Sequence, residues 1–132
     1  MAMWATKSYP TSYVEKIQKH FEQQLSEFQT FSTDKKLEAT FFENATIALE
    51  YAFVHRMRTV EGKNGNPLNE LRMLAQSFLA NDGIFTEDTL YKYAAEKSVL
   101  GYRYGEVIQL SAEDFELLLR RVIEEILVKF PE

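Results

Sequence analysis

Apolar side chains recur at helical spacing near both ends of the chain. In the first such stretch they stand three or four positions apart, as on one edge of an amphipathic helix: Val14, Ile17, Phe21, Leu25 and Phe28. The last stretch has similar spacing: Phe115, Leu118, Leu119, Val122, Ile123, Ile126 and Phe130. A hydroxyl followed three positions later by a carboxylate, the spacing of a capping box, lies near the start of each stretch, at Ser12–Glu15 and Ser111–Asp114. The pattern predicts helices near 12–30 and 112–130.

Two more helices are predicted in the middle of the chain, separated by a turn rich in glycine and asparagine. Over residues 34–60 the apolar positions fill an arc of about 160° on a helical projection: Leu37, Phe41, Phe42, Ala45, Ala48, Leu49, Ala52 and Phe53. The turn ends in Asn66 and Pro67, an N-cap residue and a proline at the first helical position. The next helix is predicted near 67–81. Because its apolar arc is broad, we expect the helix 34–60 to lie at the centre of the fold.

The segment before the last helix loses the helical period. Two β-prone runs, Val99–Tyr104 and Val107–Leu110, flank the dipeptide Gly105-Glu106. Glycine at the first of two central turn positions suits a type II′ turn, so the segment predicts a β-hairpin. A two-stranded ribbon is marginal alone, and we therefore expect it to lie on the helices or to pair with another chain.

Length and composition fit one domain. The chain has 132 residues, of which 45% are hydrophobic, and this is enough to bury a core without disulfides. We predict a mostly α fold: an up-and-down four-helix bundle with a small β-hairpin inserted before the last helix. Residues 1–132 are expected to form this single helical domain, with residues 1–11 as an N-terminal arm.

Charge and missing residue types narrow the functional classes. The net charge of -5 argues against an extended basic surface for duplex nucleic acid, although a small local basic site stays open. The absence of cysteine removes disulfide and thiolate chemistry and fits a reducing compartment. The chain begins without the features of a signal peptide, and no apolar run reaches the roughly 20 residues that span a bilayer. We therefore expect a cytoplasmic protein without membrane contact.

Apolar side chains beyond the needs of one bundle predict self-association. Ile47 and Val54 lie on the otherwise polar face of the second predicted helix, and the predicted hairpin region is rich in tyrosine: Tyr91, Tyr93, Tyr102 and Tyr104. Either surface could form the contact of a homodimer, which is the partner we expect. Another protein partner is also compatible with the pattern. Interleaved aromatic and basic residues can also stack single-stranded bases, but the acidic balance disfavours nucleic acid.

The most suggestive polar cluster surrounds the turn between the second and third predicted helices. Its candidate ligand-binding residues are His55, Arg56, Arg58, Glu61, Lys63, Asn66, Asn69 and Arg72. Arg56 falls within the apolar arc, where an unpaired guanidinium would be unfavourable, so we expect Glu61 or Glu70 to pair with it. Such a pair is commonly a structural clamp. The alternative is a small anion or phosphate site, formed by Arg56, Arg72, Lys63 and the free amides at the start of the third helix.

No catalytic residue, metal site or cofactor follows from the sequence. Metal sites in helical bundles commonly use Glu and His three positions apart, and no Glu-x-x-His occurs here. His55 as a base lacks a recognisable nucleophile and an orienting carboxylate. Glu43 and Glu50 stand about 10 Å apart along a helix, so we interpret them as a solvated stripe, or as partners for basic residues across a dimer, rather than as an acid–base pair.

Three stretches carry a resemblance to known proteins. They are ENATIALEYAFVHRMR (Glu43–Arg58), EGKNGNPLNELR (Glu61–Arg72) and EKSVLGYRYGE (Glu96–Glu106). Together they resemble an uncharacterised family of bacterial proteins with no established activity. The predicted helices are also loosely similar to the HEPN superfamily, whose members are small helical bundles, often dimers, frequent in toxin–antitoxin and defence systems. HEPN RNases carry an arginine, four to six residues and then a histidine, and no arginine precedes His20 or His55 at that spacing.

The sequence therefore predicts a non-enzymatic interaction or regulatory protein, which the resemblance places in a bacterial defence or stress locus. The alternative is a HEPN-like nucleic-acid-binding protein or weak RNase, with its site at the turn between the second and third helices. Fold resemblance does not by itself fix function, so the two are separated by the geometry of that turn.

Overall fold

The computed structural model describes residues 10–31, 34–54 and 62–129. It contains four α-helices and one short 3-10 helix: α1 (Thr11–Phe31), α2 (Lys35–Ala52), α3 (Pro67–Ala80), the 3-10 helix Ala95–Lys97 and α4 (Ala112–Lys129). The four helices pack against one another, and no strand occurs in the described ranges. The prediction of a mostly α fold with four main helices is therefore confirmed.

Side-chain caps fix three of the helix starts. Asp34 accepts hydrogen bonds from the first free amides of α2, and Asn66 does the same for α3, where Pro67 takes the first position. At α4 the amide of Asp114 donates to Ser111 Oγ, while the amide of Ser111 donates to Asp114 Oδ2, both at 3.1 Å. This reciprocal pair is the capping box that the spacing predicted.

Contacts between helix ends define how the chain runs through the bundle. The Tyr13 hydroxyl, near the start of α1, donates to the carbonyl of Ala52 at the end of α2, at 2.6 Å. At the opposite ends of these helices, Phe28 packs against Phe41 and Phe42 with ring centroids 5.1 Å apart. α1 and α2 are therefore antiparallel.

The start of α4 lies beside the start of α2. Glu38, in the first turn of α2, accepts a hydrogen bond from the Ala112 amide at 2.7 Å. The rings of Phe42 and Phe115 meet nearby, 5.3 Å apart. The largest fully buried side chains of the described residues form one core between the helices: Phe42, Phe53, Phe85, Phe115, Leu49, Leu71, Leu74, Leu118 and Ile126.

The most enclosed helix is α3 rather than α2. Nine of the 14 residues of α3 are buried, against five of the 18 in α2. Leu37, predicted in the core arc, is 52% exposed, and α2 ends at Ala52, before the predicted boundary. The predicted centre was wrong because the long segment between α3 and α4, residues 81–111, covers α3, an effect that the periodicity of a single helix does not reveal. We call residues 81–111 the covering segment.

The predicted β-hairpin is also wrong. A turn does form, but Glu106 donates its amide to the Arg103 carbonyl, so Gly105 sits at the third turn position with φ +90°. That is the glycine position of a type II turn, whose twist does not match that of two paired strands. Residues 99–104 therefore do not pair as a strand with residues 107–110.

The second half of the expected hairpin pairs with the segment that follows α3 instead. The amide of Ile108 donates to Gly83, and the amide of Phe85 donates to Glu106, which makes Ile84 and Val107 an isolated antiparallel pair. The Phe85 carbonyl accepts the Gly105 amide, so Gly105 and Glu106 both lie opposite Phe85. This is the arrangement of a β-bulge whose first residue is glycine. We call residues 83–85 and 105–108 the ribbon.

The described helices give no candidate for a membrane span, since none is both long and apolar enough.

Candidate functional site

Four of the eight predicted ligand-binding residues lie in the described ranges. They are Lys63, Asn66, Asn69 and Arg72, whereas the others lie outside the described residues: His55, Arg56, Arg58 and Glu61. The expected pairing of Arg56 with Glu61 or Glu70 and the anion site that includes Arg56 therefore stay predictions. The RNase alternative, which depends on His55 and Arg56, stays one too.

Asn69 closes the turn before α3 from inside the protein. It is fully buried, its Oδ1 accepts the Gly65 amide at 3.0 Å, and its Nδ2 donates to the Gly62 carbonyl at 2.9 Å. The exposed Lys63 contributes its backbone carbonyl, which accepts the Lys92 amide at 3.0 Å. We call the two hydrogen bonds of the Asn69 side chain, to Gly65 and to Gly62, the Asn69 clip. Side-chain groups predicted to bind a ligand are thus used to hold the turn in place.

Glycine is required at position 65 of this turn for two reasons. Its φ is +83°, and a Cβ there would lie 2.3 Å from the carbonyl oxygen of Lys92. Any side chain would therefore collide with the backbone of the covering segment. The backbone of the turn therefore packs directly against the backbone of that segment at Lys92.

Arg72 makes the kind of buried ion pair that was expected for Arg56. Its guanidinium lies 3.7 Å from Glu50 Oε2 and donates to the Val54 carbonyl at 3.2 Å. Both charged residues are buried, so the pair joins α3 to the last turn of α2. The prediction of Glu50 as a solvated residue was wrong, and so was that of an exposed Ile47/Val54 strip, because Val54 is only 2% exposed.

Glu70 holds the covering segment against α3. Its Oε1 accepts the Val99 amide at 2.8 Å, its Oε2 accepts the Leu100 amide at 3.0 Å, and the residue is 1% exposed. Burial raises the pKa of the Glu70 carboxyl, while the two amide hydrogen bonds and the charge of Arg121 act to lower that pKa. A carboxylate in the first turn of a helix is ordinarily explained by its favourable interaction with the helix dipole. The position of Glu70 in the sequence therefore gave no sign that it binds the amides of Val99 and Leu100.

Two tyrosine hydroxyls of the covering segment also serve the fold. Tyr93 donates to the Tyr102 carbonyl at 2.5 Å, and burial raises the pKa of Tyr93 to about 12. The Tyr102 hydroxyl accepts the Gln109 amide and donates to the Gln109 carbonyl, both at 3.1 Å. It thereby occupies backbone groups that a hairpin partner would have used.

The buried polar side-chain groups of the described residues are engaged in contacts within the protein. Every buried side-chain nitrogen or oxygen among them has a hydrogen-bond partner, and no three His, Cys, Asp or Glu groups among them are placed to hold a metal ion. Glu70 has a raised pKa, but both of its oxygens are bound to backbone amides away from solvent. One open cleft of about 350 Å³ lies between α1 and α4, lined by Gln18, Glu22, Leu25, Ser26, Gln29, Glu116, Leu119 and Arg120, none of them a predicted site residue.

Large apolar side chains stand exposed on the ribbon. Ile84 is 38% exposed and Val107 61% exposed. The two form a non-hydrogen-bonded antiparallel pair, so their side chains lie next to each other on one face. Tyr104, at the end of the ribbon, stacks on Phe85 with ring centroids 5.6 Å apart and is also partly exposed.

Comparison with known proteins adds no relative: no family model, no curated protein and no solved structure matches this chain. The resemblance to a bacterial family and to HEPN bundles stays a prediction.

Proposed function

We propose that this protein is a non-enzymatic interaction module that associates with a second copy of itself through the ribbon. The observation that carries the proposal is the contrast between two groups of residues. The side chains of Asn66, Asn69 and Arg72 from the predicted site are engaged in holding the fold, whereas the ribbon presents apolar side chains and backbone groups to solvent. A role in a bacterial defence or stress locus and a cytoplasmic location accompany this proposal as predictions.

The backbone of Val107 supports pairing at this edge. In a non-hydrogen-bonded pair, the amide and carbonyl of each residue point away from the partner segment. For Ile84 these groups are used locally, since its amide donates to Asn81 and its carbonyl accepts from Asn81 Nδ2. The Val107 amide and carbonyl make no hydrogen bond within the described residues. An exposed strand edge of this kind is a template for pairing with another chain.

A second copy fits the edge better than an arbitrary partner because the edge is self-complementary. Under a two-fold axis at Val107, the amide of each copy faces the carbonyl of the other, as in an antiparallel hydrogen-bonded pair. The same operation brings Val107 of each copy beside the exposed Ile84–Val107 pair of the other. Both the polar edge and the apolar side chains are then covered by one contact.

Sedimentation velocity of the full chain tests the proposal. The wild type is expected to shift from the 15.4 kDa monomer to a dimer as protein concentration rises. Val107→Lys places a charge in the contact and should leave a monomer. Val128→Lys is the matched control, since Val128 is 78% exposed on α4, and it should dimerise like wild type.

Circular dichroism shows whether each variant keeps the helical fold. A wild type that stays monomeric at the highest concentration, or a Val107→Lys variant that dimerises as well as wild type, would contradict the proposal.

A further inference from the structure

The turn before α3 contains an asparagine followed by glycine, Asn64-Gly65, and Asn64 is exposed. In such a pair the backbone nitrogen of the glycine can attack Cγ of the asparagine, because glycine has no side chain to hinder the approach. The new bond joins Gly65 N to Asn64 Cγ, and the bond from Cγ to Nδ2 breaks. The leaving nitrogen takes up the amide proton and departs as ammonia.

The product of this step is a five-membered succinimide ring, which water then opens. Addition of water at one carbonyl gives aspartate at position 64, and addition at the other gives isoaspartate, in which the main chain runs through the side-chain carbon. No electrons are transferred, and water is the only co-reactant.

Both reacting groups are held in the native turn. The Gly65 amide, which must lose its proton to act as the nucleophile, donates that proton to Asn69 Oδ1 at 3.0 Å. The Asn64 side chain is fixed as well, since its Oδ1 accepts from Asn66 Nδ2 at 2.8 Å. Asn69 is itself fully buried and tied to Gly62, so the nitrogen cannot reach Cγ unless the Asn69 clip opens.

We propose that Asn64 is a latent site of succinimide formation, closed in the native fold by the Asn69 clip and opened when that clip is lost. The proposal is independent of self-association, because the turn and the ribbon are separate parts of the chain. It assigns a protective role to a fully buried asparagine whose side chain holds the turn.

The two products would affect the turn differently. Aspartate at position 64 keeps an oxygen that can accept from Asn66. Isoaspartate adds a methylene to the main chain directly before Gly65 and so displaces the amide that Asn69 binds. Accumulation of isoaspartate should therefore loosen the start of α3.

Peptide mapping by mass spectrometry measures the reaction. Wild type, Asn69→Ala and Asn69→Asp are incubated at mildly alkaline pH, and conversion at Asn64 is followed over time. Asn69→Ala removes the acceptor of the Gly65 amide and should convert about fivefold faster than wild type, equivalent to roughly 1 kcal/mol for one hydrogen bond. Asn69→Asp keeps an acceptor for the Gly65 amide but loses the donor to the Gly62 carbonyl, so its rate should lie between those of wild type and Asn69→Ala.

Two references complete the experiment. Asn44, exposed within α2 and followed by alanine, reports background conversion in the same molecule. Wild type unfolded in urea gives the rate of the unprotected sequence, which should exceed the native rate by a similar or larger factor. The proposal is overturned if folded Asn69→Ala converts no faster than wild type. If Asn69→Ala does not fold, equal rates for native and urea-unfolded wild type overturn it, and a slower native rate supports it.

Discussion

At the scale of single residues, the buried charged groups of this protein each bind a defined part of the fold. Arg72 pairs with Glu50 and caps the end of α2 through Val54, while Glu70 binds two backbone amides of the covering segment. Charges are removed from water only at a considerable desolvation penalty, which such contacts offset. These residues are therefore expected to reveal their roles in stability measurements.

The Arg72–Glu50 pair should show strong coupling. Glu50→Ala leaves the buried guanidinium without its carboxylate and should lower the free energy of unfolding by about 3 kcal/mol. The double variant Glu50→Ala/Arg72→Ala should lose less than the sum of the two single changes. Urea denaturation of the three variants gives the coupling energy.

The exposed pair Arg121–Glu124 is the matched control, because its N···O distance is also 3.7 Å. Glu124→Ala should change stability by no more than about 0.5 kcal/mol, since solvent screens the pair. If the losses of unfolding free energy in Glu50→Ala and Arg72→Ala simply add in the double variant, burial does not strengthen the Arg72–Glu50 interaction.

Glu70 should give a specific pH dependence of stability. Because burial raises its folded-state pKa above the ordinary 4.5, the folded protein binds the proton more tightly than the unfolded chain does. The stabilisation from this proton is complete below the unfolded pKa and is lost as pH rises through the folded pKa. Relative to Glu70→Gln, wild type should therefore gain unfolding free energy as pH is lowered from neutrality towards 4.5. A difference that is constant with pH, or that slopes the other way, would refute this assignment.

At the scale of elements, two glycines with similar backbone angles have different tasks. Gly65 and Gly105 have φ values of +83° and +90°. A Cβ at Gly105 would meet nothing within 4 Å, whereas at Gly65 it would overlap the Lys92 carbonyl. Gly105 provides only a turn conformation, whereas Gly65 also provides space for the Lys92 backbone.

Alanine at these two glycines separates conformation from contact. Gly105→Ala should cost about 1–2 kcal/mol, the penalty for a left-handed backbone at a residue with a Cβ. Gly65→Ala should cost clearly more, because the Lys92 backbone must also move. Thermal or urea unfolding of both variants checks the order, and equal costs would show that the Gly65–Lys92 approach is not maintained in solution.

At the scale of the whole molecule, the covering segment between α3 and α4 decides which surfaces are buried and which are available. It encloses α3, and its ribbon carries the exposed pair Ile84–Val107. The chain has a net charge of -5, so two copies repel each other at low ionic strength. The proposed dimer should therefore be favoured by added salt, and Val107→Lys should remain monomeric at every salt concentration.

Local chemistry along the chain determined the helices. Apolar spacing placed α1 and α4, and the caps at Asn66 and Ser111 marked helix starts, because such signals act between residues only a few positions apart. The mostly α class with four helices followed from these signals. For the candidate site, the sequence located a polar turn before α3 but not the task of its side chains.

Only the tertiary structure decided the partners of the buried charges and the pairing of the ribbon. Arg72 meets the Val54 carbonyl 18 positions away, and Glu70 meets amides 29 and 30 positions away. No periodicity within one helix encodes such distances, so Glu50 was predicted in solvent and residues 99–110 as a hairpin. The sequence by itself determined which four stretches form helices, because that depends on neighbours along the chain. Which side chains close the turn, and which edge stays open, depends on how the covering segment folds back over α3.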